Sequence, residues 1–267
     1  RAQSDENWNV RRAAVQELAR GWHDDPDTLP YLKSRAQSDE NWNVRRAAVQ
    51  ELARGWHDDP DTLPILKSRA QSDENWNVRR AAVQELARGW HDDPDTLPYL
   101  KSRAQSDESS IVRGAAVQEL ARGWHDDPDT LPYLKSRAQS DENWDVRRAA
   151  VQELARGWHD DPDTLPYLKS RAQSDENWDV RRAAVQELAR GWHEEPTIFE
   201  LLLDRALNDP FEREQTRATN PRETALEAII KYYPDHPQTL QLFRDKAEND
   251  PDEEVREFAR RTLERRR

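Results

Sequence analysis

The sequence predicts an all-α solenoid, in which helical hairpins stack on one another along the chain. Six near-copies of one 34-residue segment begin at Arg1, Arg35, Arg69, Arg103, Arg137 and Arg171. A segment of this length cannot bury an apolar face alone, so neighbouring repeats must share one elongated core. Two helical segments in each repeat and a related tail predict about fifteen helices in total.

The first helix of each repeat, here called the B helix, is predicted over 8–20 in the first repeat. Apolar residues recur there at positions i, i+4 and i+8, which is the period of one helix face. Asn7 or Asp5 is the candidate N-cap residue. Gly21 is expected to end the helix in a left-handed conformation, with Trp22 folding back over the last turn.

The second helix of each repeat, the A helix, is predicted over 28–37. Asp27 is its expected N-cap, and Pro30 must lie in the first turn because a proline deeper in the helix would break it. We expect the A helix to bury Leu29, Leu32 and Ala36. Each repeat is therefore a helical hairpin.

The chain divides by sequence into six regular repeats over 1–204 and a divergent part over 205–267, and we expect one continuous solenoid. The first repeat begins in the middle of a unit and the chain lacks an initiator Met, which indicates an excised or processed piece. Charged residues in the last helix suit a cap that faces water. The opened N-terminal helix is expected to fray or to associate edge to edge with another molecule; otherwise we expect a monomer.

The amino-acid composition disfavours several classes of partner and site. The formal net charge is -12, from 53 acidic and 41 basic residues, and it disfavours nucleic acid and anionic membranes as partners. The absence of Cys excludes disulfides and thiolate metal sites and is typical of a cytoplasmic protein. No apolar run is long enough to span a membrane.

The B helix carries a recognisable pattern. Asp5, Val10 and Arg11 are followed by two alanines and a leucine, and the pattern returns in every repeat. The tail repeats the spacing at Asp250, Val255 and Arg256, after a unit lengthened by about seven residues. This pattern resembles HEAT repeats of the short bacterial, phycobilisome-lyase-like class.

The resemblance implies a right-handed superhelix, with A helices on the convex side and B helices on the concave side. It also implies that the chain binds a protein or peptide partner and that the Asp5 and Arg11 positions tie adjacent repeats together. Arrays of nearly identical units of this kind also resemble the sensor regions of bacterial NACHT-type NTPases. A sensor role in a larger signalling or defence protein is one expectation that follows.

The fourth repeat departs from the others at neighbouring positions of its B helix, where Glu-Asn-Trp-Asn-Val-Arg-Arg becomes Glu-Ser-Ser-Ile-Val-Arg-Gly. The changed residues include Ser110, Ile111 and Gly114, and Ser110 and Gly114 share one helix face. In the other five repeats this face carries a Trp and an Arg: Trp8 with Arg12, Trp42 with Arg46, Trp76 with Arg80, Trp144 with Arg148, and Trp178 with Arg182.

We call these five tryptophans the first Trp column. Emptying a buried Trp site would cost about 3 to 5 kcal/mol, and a helical Gly about 1 kcal/mol more. Both changes together in one repeat therefore favour an exposed or half-exposed column over a core column. Exposed Trp and Arg are typical of interface hot spots, so we predict a partner-binding ladder with rungs about 10 Å apart that is interrupted at Ser110, Ile111 and Gly114.

A second Trp column follows the helix-ending glycines and never varies, which favours a structural role. It consists of Trp22, Trp56, Trp90, Trp124, Trp158 and Trp192. The adjacent His23-Asp24-Asp25 motif could form a hard-metal or acid–base site, but helix capping explains it more simply. Tyr31, replaced by Ile65 in the second repeat, is expected to pack and not to recognise a ligand.

Catalytic signatures such as a phosphate-binding glycine loop or a nucleophile elbow are absent from the sequence. We therefore expect no cofactor, no metal and no enzymatic activity. The leading hypothesis is a protein-interaction module. The alternative is a duplicated or designed repeat scaffold without a specific ligand, and a lyase-like enzyme is a third, weaker one.

Overall fold

The computed structural model describes residues 5–213 and 218–266, and this part of the chain contains fifteen α-helices and no strand. The all-α prediction is confirmed. The helices are α1 (Trp8–Gly21), α2 (Thr28–Ser38), α3 (Trp42–Gly55), α4 (Thr62–Ser72), α5 (Trp76–Gly89), α6 (Thr96–Ser106), α7 (Ser110–Gly123), α8 (Thr130–Ser140), α9 (Trp144–Gly157), α10 (Thr164–Ser174), α11 (Trp178–Gly191), α12 (Pro196–Asn208), α13 (Pro221–Tyr232), α14 (Thr239–Asn249) and α15 (Glu253–Glu264).

The chain forms two compact units, Arg1–Arg137 and Ala138–Arg267. Odd-numbered helices are the B helices and even-numbered helices are the A helices. In the first unit α1, α3, α5 and α7 pack side by side, and in the second unit α9, α11 and α13 do the same. Neighbouring A helices, such as α2 and α4, touch over a smaller part of their length. The division at 204 expected from sequence stays a prediction.

Stacking of repeats creates the core. Val44, Ala48 and Leu52 of α3 are completely buried between the neighbouring B helices and the A helices. Val10, the equivalent of Val44 in the first repeat, is 39% exposed because α1 has a B-helix neighbour on one side only. The same apolar residue is thus buried or exposed according to the presence of a neighbouring repeat.

The B helices begin as predicted and end differently. The Asn7 side chain accepts a hydrogen bond from the N–H of Asn9, which makes Asn7 the N-cap. The prediction of a left-handed Gly21 is wrong, because no described glycine has a positive φ. Gly21 is the last helical residue, and the N–H of Trp22 bonds to the carbonyl of Leu18.

The start of the A helix also differs in one detail. Asp27 occupies the N-cap position, but its side chain makes no capping hydrogen bond. The Asp25 carboxylate instead accepts the N–H of Asp27, at 2.9 Å, and its carbonyl accepts the N–H of Thr28. Pro30 lies in the first turn, as predicted, where its missing N–H leaves no hydrogen bond unmade.

A buried ion pair joins the first repeat to the second. The Arg11 guanidinium donates to both carboxylate oxygens of Asp39, at 2.9 and 3.0 Å, and both side chains are almost inaccessible to water. Its remaining nitrogen donates to the carbonyls of Asp5 and Glu6. The predicted tie between repeats is therefore present, but Asp5 contributes its carbonyl and the carboxylate comes from Asp39.

We call this arrangement the Arg–Asp clamp, and it recurs along both units. Equivalent two-pronged pairs are Arg45 with Asp73, Arg79 with Asp107, Arg147 with Asp175, Arg181 with Asp209, and Arg222 with Asp250. Burial would raise the pKa of Asp39, but hydrogen bonds from Arg11 and the Asn41 N–H lower it.

The lengthened seventh repeat keeps this clamp. Arg222 of α13 donates to the carbonyls of Asp209 and Phe211, which lie before the inserted residues, and to the carboxylate of Asp250. A second ion pair joins neighbouring B helices near their C-terminal ends, as between Arg54 and Glu85 at 3.1 Å. The tail therefore continues the stacking pattern, as the sequence predicts.

Removal of one clamp carboxylate, as in Asp73→Ala, is expected to lower the free energy of unfolding by about 3 to 5 kcal/mol, because Arg45 would stay buried without its partner. Glu74→Ala is the matched control. It removes a carboxylate at 3.0 Å from the same guanidinium, but this side chain is 81% exposed, so the loss should stay below about 1 kcal/mol. Urea unfolding followed by circular dichroism measures both, and equal losses would contradict the role assigned to the clamp.

Candidate protein-interaction surface

The first Trp column lies at the N-terminal ends of the B helices. Each of these tryptophans is the first helical residue, directly after the N-cap Asn or its equivalent. Trp76 is 36% exposed and Trp144 is 38% exposed, while Trp8, Trp42 and Trp178 are half-buried. The column therefore lies at the surface, in the exposure range that the sequence predicts.

Arginines cover the tryptophans in three repeats. The guanidinium carbon lies 5.4 Å from the ring centre of Trp8, 5.6 Å from that of Trp42 and 5.2 Å from that of Trp144. The arginines are Arg12, Arg46 and Arg148, one turn after each Trp. Such cation–π packing holds both side chains in place before any partner binds.

The fifth and sixth repeats have a carboxylate beside these tryptophans, half-buried in Asp145 and buried in Asp179, and the sequence analysis missed both. Asp145 and Asp179 replace the Asn present in the first three repeats. Asp145 accepts a hydrogen bond from Arg148, and Asp179 accepts one from Arg182 and another, at 3.0 Å, from Arg148 of the preceding repeat. The replacement of Asn by Asp in the fifth and sixth repeats is visible in the sequence and could have indicated these two residues.

The fourth repeat differs from the others at accessible positions and has the same buried residues. Ser110 and Gly114 are half-buried and Ile111 is 40% exposed. The apolar residues of the same helix stay completely buried, for example Val112 and Leu120. The replaced residues are therefore exposed or half-buried, and none of them belongs to the completely buried core of the repeat.

Gly114 is not required by packing. A β-carbon placed on Gly114 would meet no described atom within 4 Å beyond its own helix backbone and chain neighbours. Ser109 replaces the capping Asn and makes no side-chain cap bond, so the fourth repeat also loses a capping interaction worth about 1 kcal/mol. The fourth repeat thus carries these changes at a cost to helix stability.

The second Trp column is structural, and its stacking partner is a histidine. Rings of His23, His57, His91 and His159 stack on the Trp of the following repeat with centroids 4.2 to 4.6 Å apart. Trp90 and Trp192 are 8% and 7% exposed. Trp22 is 56% exposed, and no histidine ring of the described residues stacks on it.

The histidines join one repeat to the next through hydrogen bonds as well as ring stacking. The Nε2 atom of His57 lies 2.7 Å from the carbonyl of Gly89, the last residue of α5, and its Nδ1 atom lies 3.0 Å from a carboxylate oxygen of Asp58. These hydrogen bonds raise the pKa of His57, because both ring nitrogens then donate. Among the described residues no group of three metal-ligating side chains occurs.

A cleft in the second unit includes two tryptophans of the first column. It has a volume of about 530 Å³, and its walls include Trp144, Trp178 and Phe211. The rings of Trp178 and Phe211 meet edge to face with centroids 5.4 Å apart. Phe211 precedes the inserted residues of the seventh repeat, so the regular repeats have no equivalent of this third ring.

Comparison with known families identifies the repeats. The family model for HEAT repeats matches residues 1–87, 37–121, 68–155, 112–189 and 131–221, which together cover most of the chain. The chain is a HEAT-repeat protein. The predicted α-solenoid class is therefore confirmed, and no described helix is long and apolar enough to cross a membrane.

Solved structures show the same fold at low sequence identity. The Escherichia coli protein YibA is 20% identical with a TM-score of 0.55, and the match covers 99% of this chain and 90% of YibA. Kap121p is 18% identical with a TM-score of 0.62, and Kap95p is 16% identical with a TM-score of 0.60. The chain spans 32% of Kap121p and 36% of Kap95p, while the matches cover 99% and 97% of this HEAT-repeat chain. No curated protein sequence matches the chain.

The histidine stacks predict a pH-dependent stability. Because the folded-state pKa of His57, His91 and His159 is raised, their contribution is fully present below the unfolded pKa of about 6.5 and is lost as the pH rises through the folded value. The Tm should therefore fall between pH 6 and pH 8.5. The triple variant His57→Gln, His91→Gln, His159→Gln should show a smaller fall, and an unchanged slope would argue against the stacks as its source.

Proposed function

We propose that the chain is a non-enzymatic protein-interaction module whose reading surface is formed by the N-terminal halves of the B helices. The first Trp column and its arginines provide the contacts, and Ser110, Ile111 and Gly114 form a gap that one partner group fills. In the superhelix that the family resemblance implies, this surface belongs to the concave side. The partner is a protein or a peptide.

The observation that carries this proposal is the position of the changes in the fourth repeat. The replaced residues are exposed or half-buried, and the buried residues of α7 are the same as in the other repeats. A cluster of changes at accessible positions that weakens the helix cap and adds a helical Gly is typical of a surface adapted to a ligand.

The energetics of the surface suit binding. Trp and Arg are the residues most enriched among interface hot spots, where one truncation costs about 2 kcal/mol or more. Stacking of Arg12 on Trp8 and of Arg46 on Trp42 orders these long side chains in advance. A partner then loses less conformational entropy of the protein on binding.

The structural relatives support a binding role at a coarser level. Kap121p has been solved bound to Ste12p, and Kap95p acts on RanGDP. These proteins share the fold with this chain at identities below 20%, so they support an interaction scaffold and do not indicate a particular partner.

The proposal is tested by affinity capture from the lysate of the source cells, followed by purification of the captured partner. A variant with Trp8, Trp42, Trp76, Trp144 and Trp178 all replaced by Ala is expected to bind that partner at least about tenfold more weakly, because several hot spots are lost together. Trp22→Ala removes an exposed Trp outside the surface and should leave the affinity unchanged.

A second variant tests whether the partner binds at the gap in the fourth repeat. Ser109→Asn, Ser110→Trp, Ile111→Asn and Gly114→Arg together restore the common sequence, and a β-carbon at position 114 meets open space. This variant should stay folded by circular dichroism and bind the partner more weakly. Equal binding by all variants, or the absence of any specific partner, would favour the alternative of a repeat scaffold without a ligand.

A further inference from the structure

Arg80 differs from the other arginines that follow the first Trp column. Three of these arginines lie over a Trp ring, and Arg182 donates to Asp179. Arg80 is exposed, and in the described part of the chain no ring stacks on its guanidinium and no oxygen accepts a hydrogen bond from it. Because a guanidinium carries only donors, this side chain is free to bind an acceptor from outside.

The gap in the fourth repeat borders the helix that carries Arg80. The helices α5 and α7 pack side by side, and Ser110 and Gly114 stand in α7 where the other regular B helices have Trp and Arg. Arg46, whose following repeat has the larger side chains, is half-buried, whereas Arg80 and Trp76 are exposed. Trp76 and Arg80 are four residues apart, so a cation and an indole are accessible on the same face of α5.

The fifth and sixth repeats show which group pairs with an arginine at this position. Arg148, the equivalent of Arg80 two repeats later, lies 3.0 Å from a carboxylate oxygen of Asp179 in the following repeat. The equivalent of Asp179 in the fourth repeat is Ile111, whose side chain accepts no hydrogen bond and is 40% exposed. Arg80 therefore lacks the acceptor that the same position has elsewhere in the chain.

The carboxylates of α5, of α7 and of the turn before α7 have other partners. Arg79 lies 3.0 Å from Asp107 and 2.9 Å from Glu108, which precede α7. The buried glutamates near the C-terminal ends of the two helices each pair with an arginine of the repeat before, at 3.1 and 3.2 Å. Among the described carboxylates, none forms an ion pair with Arg80.

The net charge of -12 does not prevent a carboxylate from reaching Arg80. Exposed charges are largely screened beyond about 8 Å at physiological ionic strength, whereas a guanidinium and a carboxylate in direct contact are about 2.8 Å apart. The ion pair of Arg148 and Asp179 forms within the same negatively charged chain. Pairing at this position is therefore decided by the local contact.

We propose that Arg80 binds the carboxylate of an aspartate or glutamate side chain in the protein partner, and that this side chain is the group that enters the gap. The carboxylate takes the place that Asp179 has beside Arg148. A carboxylate suits a guanidinium because both are planar and form two parallel hydrogen bonds. The inference rests on the proposed function, since it names the chemistry of the partner at the gap.

The test uses the full chain and two fluorescein-labelled peptides at 0.15 M salt, with fluorescence anisotropy as the measurement. One peptide is Gly-Ser-Glu-Gly-Ser-Glu-Gly-Ser-Glu, and the other has Gln in place of each Glu. The Glu peptide should bind with a Kd at least about fivefold lower, because only its carboxylates form a charged pair with Arg80. The variant Arg80→Gln should remove this difference.

A charge-matched control separates Arg80 from general electrostatics. Arg20→Gln removes the same charge from another exposed arginine, in the last turn of α1. It should change the Kd of the Glu peptide by less than about twofold, because it weakens only a screened, distant attraction.

A second pair of variants supplies the carboxylate from within the chain. Ile111→Asp places a carboxylate beside Arg80, as Asp179 is beside Arg148, and should raise the Kd of the Glu peptide at least about fivefold by competition. Asn43→Asp adds the same charge at the equivalent position two repeats earlier and should raise it less than about twofold. All variants are first compared by circular dichroism.

Equal binding of the Glu and Gln peptides, an equal loss in Arg20→Gln, or undiminished binding by Ile111→Asp would overturn the inference. A peptide with phosphoserine in place of Glu that binds more than about tenfold more tightly would assign the position to a phosphate instead. Failure here is separable from failure of the proposed function. A natural partner that depends on the first Trp column but binds the Arg80→Gln variant normally would leave the proposed function standing and would remove the carboxylate from the gap.

Discussion

The Arg–Asp clamp is the interaction on which the rest of the structure depends. One aspartate ends an A helix, accepts the N–H of the residue two positions on, and receives two hydrogen bonds from the arginine of the preceding repeat. That arginine also binds two carbonyls in its own repeat. Both charges are buried and satisfied, so the clamp sets the register and spacing of adjacent hairpins at little net electrostatic cost.

Because the clamp joins the repeats, the residues that stabilise the array are largely different from those at accessible positions. Alanines and branched side chains of the B helix fill the core, Arg and Asp fix the repeats, and the His–Trp stacks fasten the C-terminal ends of the B helices. At the N-terminal ends of the same helices some side chains also join repeats, as Arg148 and Asp179 do. Other positions there vary, and Trp, Asn, Asp, Arg, Ser, Ile and Gly occur in different repeats of the same fold.

The apolar spacing of the sequence predicted the helices and their starts, because these depend on contacts within one repeat. The 34-residue period predicted the confirmed solenoid class, because repeats of that length must stack to bury their apolar faces. Details that depend on the next repeat were not predictable in this way. The end of the B helix is an example: His57 binds the carbonyl of Gly89, and Gly89 needs no left-handed conformation. Phe211 is another, because its position against Trp178 depends on an insertion that breaks the period.

The chemistry of the outward surface changes from repeat to repeat while its scaffold does not. In the first two repeats an arginine lies over each Trp beside a neutral Asn, whereas in the sixth repeat the arginine turns to Asp179. Identical repeats would bind a partner equally well in several registers shifted by one repeat. In the proposed interaction, replacements such as Ile111 in the fourth repeat and Asp145 in the fifth reduce that degeneracy, because a shifted register brings the same partner group against a different side chain.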